Sequence, residues 1–124
     1  MGEDQLVVGS VGWIDLTVDD APVLRDFYAA VVGWSVENVP MGDYDDFCMK
    51  DASGGPRAGV CHRRGPNAGV PAQWIAYFVV ADLERSLTEV TAHGGSVVSP
   101  PRGAGGRFAI VRDPAGAVCA LYQR

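Results

Sequence analysis

An α+β fold built from two copies of one βαβββ module is the architecture this sequence predicts. Three observations carry that prediction. Asp113-Pro114-Ala115-Gly116 has the residues of a type I turn, and Asp51-Ala52-Ser53-Gly54 repeats its D-x-x-G pattern 62 residues earlier, half of the 124-residue chain. Ile14 to Val18 before Asp20 matches Ala76 to Val80 before Asp82 at the same offset. Gly33 and Gly94 stand 61 apart, one residue of slippage that a helix can absorb. A repeat on this scale has to be recognised before any single element is assigned.

Residues 1–9 read as a loose tail. From Val11 to Val18 the chain alternates, with Ile14, Leu16 and Val18 on one face and Trp13, Asp15 and Thr17 on the other, which predicts a half-buried strand. Asp19 and Asp20 stand where an N-cap belongs, and Pro22 falls in the first turn, where its missing N–H costs nothing. Val23, Leu24, Phe27, Tyr28 and Val31 make the apolar stripe of a helix that Gly33 stops. Trp34 to Val39 is a strand ended by Pro40. Asp45–Lys50 and Arg57–Arg63 flank the D-A-S-G turn as a hairpin. The stretch Tyr44-Asp45-Asp46 reads as a solvated turn into that strand.

The second module repeats this order. Residues 64–72, RGPNAGVPA, are a linker of turn formers, so module one covers residues 10–63 and module two 73–124 of a single domain. Gln73–Val80 is a strand, and Asp82 caps a helix facing inward with Leu83, Leu87 and Val90. His93-Gly94-Gly95 ends that helix. Ser96–Ser99 is a short strand ended by Pro100-Pro101, a Gly-rich loop follows to Gly106, and Phe108–Val111 and Ala117–Tyr122 form the last hairpin. Two such sheets can curve toward each other and enclose a cavity.

Composition narrows the function. Hydrophobic content of 48% with 20% charged residues fits a globular chain. A net charge of −5, with Arg63-Arg64 the only adjacent basic pair, argues against nucleic-acid binding. No apolar run reaches the ~20 residues of a membrane span. The acidic start, MGEDQLVV, lacks a signal-peptide layout, and Cys48, Cys61 and Cys119 are odd in number and widely spaced. Free buried thiols in a reducing cytoplasm are the simplest reading.

Three marks converge on one family. They are Asp20-x6-Phe27-Tyr28-x4-Gly33-Trp34, His93-Gly94-Gly95, and Asp113-Pro-x-Gly116 in the last hairpin. In this order and spacing they resemble the vicinal oxygen chelate superfamily of glyoxalase I, bleomycin-resistance proteins and extradiol dioxygenases. The likeness covers nearly the whole chain. It is greatest to small actinobacterial glyoxalase-like proteins, through W-I-D-L near the start and G-R-F-A-x-x-x-D-P-x-G-A near the end. The resemblance implies the βαβββ fold, a homodimer, and, in metal-dependent members, His, Gln or Glu ligands projecting from the strands into the cavity. The positions that match those slots hold Trp13, Ile75, Ala120, and Ala58 or Gly59. None of these side chains can ligate a metal, so no metal or other cofactor is expected. His62, His93, Cys61, Asp15 and Glu37 are the remaining candidates, and Cys61 and His62, as strand neighbours, point to opposite faces.

Alternation places Trp13, Asp15 and Thr17 toward the cavity, with Ile75, Tyr77 and Val79 from the second module and Val118, Ala120 and Tyr122 from the last strand. Hydrophobic walls with a few polar groups are the make-up of a small-molecule site, although the same aromatics could simply fill a core. Asp15 either pairs with Arg57 or Arg107 or keeps a raised pKa and serves as a base. The leading expectation is a protein that binds or sequesters a small, partly aromatic compound. The alternatives are an enzyme using Asp15 or an unrecognised metal site, and a module whose cavity is filled. Open sheet edges add to the expectation of a homodimer.

Overall fold

The computed structural model describes residues 6–124. They form two compact units, Ile14–Trp74 and Ile75–Arg124 with residues 6–13. Each follows the expected βαβββ order. The first has β1 (Val11–Val18, beginning at the boundary), α1 (Ala21–Val32), β2 (Ser35–Pro40), β3 (Asp45–Lys50) and β4 (Pro56–His62). In the second come β5 (Trp74–Val80), α2 (Leu83–Ala92), β6 (Ser96–Arg102), β7 (Phe108–Arg112) and β8 (Val118–Gln123). Within the first the strands lie in the order β2-β3-β4-β1, and within the second β5-β8-β7-β6. In each unit the first strand pairs parallel with the last and the other pairings are antiparallel. This mixed pairing is the predicted α+β class and differs from a doubly wound parallel sheet.

The repeated turn chemistry is reproduced bond for bond. Asp113 Oδ1 accepts from the N–H groups of Ala115 (2.8 Å) and Ala117 (3.0 Å), and Asp51 Oδ1 accepts from Ser53 (2.9 Å) and Gly55 (3.0 Å). Gly116 and Gly54 sit at φ 91° and 85°, conformations open to glycine at little cost. Asp51 gains two further partners, the Ser53 hydroxyl and, at 2.5 Å, the Arg57 guanidinium. The Ser53 bond, then Arg57 and the Gly55 N–H, hold its carboxyl well below the ordinary 3.8. A carboxyl whose pKa is lower folded than unfolded stabilises the fold above its unfolded pKa, and the contribution fades as pH falls through the folded value. Asp51→Asn should therefore destabilise the chain at about pH 5 and lose that effect toward about pH 2. Chemical unfolding of both proteins at each pH checks this, and a difference independent of pH would refute it.

Four local expectations are corrected. The first concerns α1, whose five apolar residues were read as one stripe but do not share one environment. Leu24 and Tyr28 face inward, but Val23, Phe27 and Val31 are 58%, 52% and 64% exposed. The helix is apolar on nearly every side, so periodicity could not choose a face. The choice is made by Ala21, fully buried, and by Tyr28, which packs its ring 5.0 Å from Trp74 and 6.4 Å from Trp34. Asp20 also occupies the N-cap without a side-chain cap bond, whereas Asp82 caps α2 by accepting from Arg85 N–H at 3.2 Å.

Second, β6 does not stop at Pro100-Pro101 but runs through both to Arg102. It is the outermost strand of its unit and shifts register at Val97/Ser99 and Ser99/Arg102, the setting in which proline's missing N–H is tolerated. Third, Asp46 is buried, because its Oδ1 accepts from His62 N–H at 2.9 Å and lies 3.1 Å from His62 Nδ1. Fourth, the tail of residues 1–9 is only partly within the described residues. Its described end is tied down by Gly9 N–H to Val79 O (2.8 Å) and Arg124 Nη1 to Leu6 O (3.2 Å). Cys48, Cys61 and Cys119 are half-buried rather than buried. No helix among the described residues is long and apolar enough to cross a membrane.

Candidate functional site

In the second unit, register brings the predicted side chains onto one sheet face. Tyr77 stands opposite Ala120 and Val79 opposite Tyr122 across the parallel ladder. Phe108 faces Tyr122, and Ile110 faces Ala120, across the hairpin. The Tyr77 and Phe108 rings lie 5.8 Å apart. Ile75, Tyr77, Val118 and Ala120 are buried, while Trp13, Phe108 and Tyr122 are half-buried. The buried set is thus a floor, and the aromatic rings above it are the part a ligand could reach.

Two arginines join this face; sequence reasoning had named Arg107 only as a partner for Asp15 and had given Arg102 no role. Arg102 lies opposite Phe108 in the β6–β7 ladder, and its guanidinium sits 5.0 Å above the Phe108 ring. Arg107 has its guanidinium 5.8 Å from the Tyr122 ring and donates from Nε and Nη2 to Gln123 O at 3.2 and 3.1 Å. Between them runs the loop Gly103–Gly106. Gly103, at φ 88°, passes so close to Phe108 that a Cβ would meet the ring at 2.9 Å. The signal that could have found the pair was the arginine on each side of a glycine-rich loop, read together with the hairpin register.

In the first unit, Asp15 stands opposite Gly59 and Thr17 opposite Cys61, on the face away from the core residues Leu16 and Val18. Cys48 also stands opposite Gly59, and Glu37 opposite Cys48. Glu37 is paired with Lys50. Burial, then the Glu37 charge, pushes the Cys48 thiol up, which disfavours a thiolate nucleophile. Of the two partners proposed for Asp15, Arg57 is bonded to Asp51, because the Asx turn has already concentrated donors around that carboxylate. Arg107 is bonded to the Gln123 carbonyl. His62 points away from Cys61, as alternation requires, and packs against Tyr44 (5.1 Å) and Phe47 (6.1 Å) beside Asp46. His93 is exposed beside Glu89 at the end of α2.

The family's metal-dependent members need a compact set of donors. Among the described residues no group of three or more His, Cys, Asp or Glu is placed to hold a metal ion. Trp13, Ile75, Ala120, Ala58 and Gly59 bring no donor atoms in their side chains. These residues do not fit a transition metal.

A groove of about 690 Å3 lies on the opposite face of the second unit, between α2 and the sheet, lined by Phe78, Val80 and Leu121 with Arg85, Glu89 and Val90. Of the residues that alternation assigned to the cavity, Val79 touches this groove and the others do not line it.

Comparison with known proteins agrees with this architecture. The sequence pattern of the Glyoxalase/Bleomycin resistance protein/Dioxygenase superfamily matches residues 10–121, and the chain belongs to that superfamily. It is similar to a Mycobacterium tuberculosis protein named "Putative glyoxylase CFP32", 29% identical over 93% of this chain and 46% of the relative. A second relative is the anthracycline biosynthesis protein DnrV of Streptomyces peucetius, 30% identical over 94% of this chain and 47% of the relative. The chain spans about half the length of these curated relatives. Among solved structures, Streptomyces coelicolor methylmalonyl-CoA epimerase in complex with 2-nitronate-propionyl-CoA has the same fold. Its TM-score is 0.57 at 16% identity, covering 94% of this chain and 98% of that one.

Proposed function

We propose that this protein binds or sequesters a small, partly aromatic compound on the sheet face that carries Trp13, Ile75, Tyr77, Val118, Ala120 and Tyr122. The observation that carries this reading is the half-buried ring cluster of Phe108 and Tyr122 over a buried apolar floor. Apolar walls with a few polar groups are how small-molecule sites are built. Asp15 lies two residues from Trp13 on the same strand face, about 7 Å further along, and sets polarity or orientation there. The absence of donor side chains at the family's ligand positions favours binding over metal-dependent catalysis. An enzyme reading rests on Asp15 as a general base.

The test begins with a screen for a ligand. Trp13→Ala should then weaken its binding by on the order of thirty-fold, the equivalent of about 2 kcal/mol of lost apolar contact. Asp15→Asn should change selectivity or pH dependence more than stability. Titrations of the three proteins, with unfolding curves alongside, decide it. A folded Trp13→Ala that binds as tightly as wild type removes Trp13 from the site. Turnover of the bound compound, lost in Asp15→Asn, would establish the enzyme reading.

The same proposal includes a homodimer. Support comes from the outward side of α1, where Val23, Phe27 and Val31 leave an apolar stripe in water. Light scattering should return twice the mass of one chain, and the mass of a single chain would refute it.

A further inference from the structure

From the arrangement of Arg102 and Arg107 around the Phe108 and Tyr122 rings, we infer that the compound bound here is a flat aromatic ring carrying a carboxylate. This rests on the proposed binding face and names the ligand's chemical class. The chain carries a net charge of −5, yet two guanidiniums converge on one aromatic cluster within a single hairpin. Each is positioned by more than its own rotamers. Arg102 is paired with Phe108 in the ladder, and Arg107 is tied through Nε and Nη2 to the Gln123 carbonyl. Holding a guanidinium over a ring fixes its plane before a ligand arrives, and a planar fork matches a carboxylate better than a point charge does. The glycines complete the shape. Gly103, Gly105 and Gly106 all have positive φ, and the close pass of Gly103 over Phe108 admits no side chain.

A ring laid against Tyr122 and Phe108 would gain apolar contact from the cluster. Its carboxylate would then lie toward the loop that carries both arginines. A cationic ligand of the same shape would meet like charge, and a neutral one would forgo charge-assisted hydrogen bonds.

Three probes of one shape separate the possibilities: 2-naphthoate, 2-naphthamide and 2-naphthylmethylamine. Affinities come from calorimetry. The location comes from fluorine NMR of protein labelled with 3-fluorotyrosine, in which the chain's four tyrosines report separately. The naphthoate should bind on the order of tenfold more tightly than the amide. Signals of Tyr77 and Tyr122 should move, and those of Tyr28 and Tyr44 should stay. Raising salt to about 1 M should shrink the acid-to-amide ratio, and Arg102→Gln should abolish most of it, with Arg102→Lys intermediate and melting curves confirming the fold. The salt series needs no variant and stands if Arg102→Gln does not fold. If the amide or the amine binds as tightly as the acid while Tyr77 and Tyr122 respond, the carboxylate inference is overturned and the binding face survives. Should none of the probes move Tyr77 or Tyr122, the binding face is overturned as well.

Discussion

Met49→Ala should cost the fold about 2–5 kcal/mol, the range for truncating a buried Met, Leu or Ile side chain. Met49 is fully buried at the centre of the first unit, on β3, between Val36 of β2 and Ala58 of β4 in register. Leu16, Val18, Phe47 and Val60 belong to the same core cluster, and Ala21 and Ala58 are already small. Ala58, its partner in register, is too small to fill the space a truncated Met49 would vacate. Domains of this size are typically stable by only about 5–15 kcal/mol, so the loss takes a large share of the total. Urea unfolding should show a midpoint well below wild type with an unchanged slope. Met49→Leu keeps most of the volume and should lose less than about 1.5 kcal/mol. Equal stability of the Ala and Leu variants would mean that the core of this unit is not packed around Met49.

Gly95→Ala should also be damaging, at about 1–3 kcal/mol. The reason is space rather than backbone freedom. A Cβ on Gly95 would lie 2.7 Å from Arg112 O and 2.9 Å from Val90 Cγ1. The oxygen is backbone, fixed in the β6–β7 ladder, so the methyl group would push the end of α2 off the strand. Neighbouring Gly94 is a different case. It sits at φ 88° with only the Pro114 side chain nearby, so Ala there carries the cost of a left-handed backbone and little crowding. The two variants separate the two halves of the Gly-Gly pair, and thermal melts of both, with Gly95→Ala the lower, are the expected result. A Gly95→Ala melt equal to wild type would show that the helix end has slack the distances do not suggest.

The repeat could be read because its signals are local. A turn with Asp at its first position and Gly at its fourth makes the same bonds wherever it occurs, so Asp51 and Asp113 announced both hairpins and the period between them. Alternation along β5 and β8 likewise fixed which residues share a face, and Tyr77, Ala120 and Tyr122 do so. What could not be read depended on partners distant in sequence. Phe27 and Tyr28 are aromatic neighbours on one helix, and contact with Trp34 and Trp74 accompanies the inward turn of Tyr28. The pairing of Asp46 with His62 needed the β3–β4 register as well as the charge. Arg102 carried no signal of its own and Arg107 pointed only to Asp15, until the ladder set Arg102 across from Phe108 and the chain end brought Gln123 to Arg107. Pro100 and Pro101 misled for the opposite reason. Their local rule holds, and the outer position of β6 excuses one missing donor while the register shift between Ser99 and Arg102 excuses the other.

Those two prolines also bear on how copies of the chain could meet. An outer strand is a template for another strand only if its N–H groups form an unbroken row. Successive N–H groups of a strand point to opposite edges, so Pro100 and Pro101 take one donor from that row in β6 and one from the ladder with β7, where the register slips before the prolines and again across them, and β2 closes on Pro40. Strand addition along β6, whether by a second copy or by an aggregating chain, would stall within a few residues. Association between copies is thereby steered toward surfaces that meet through side chains, while the polymerising route open to a bare strand is closed at its growing end.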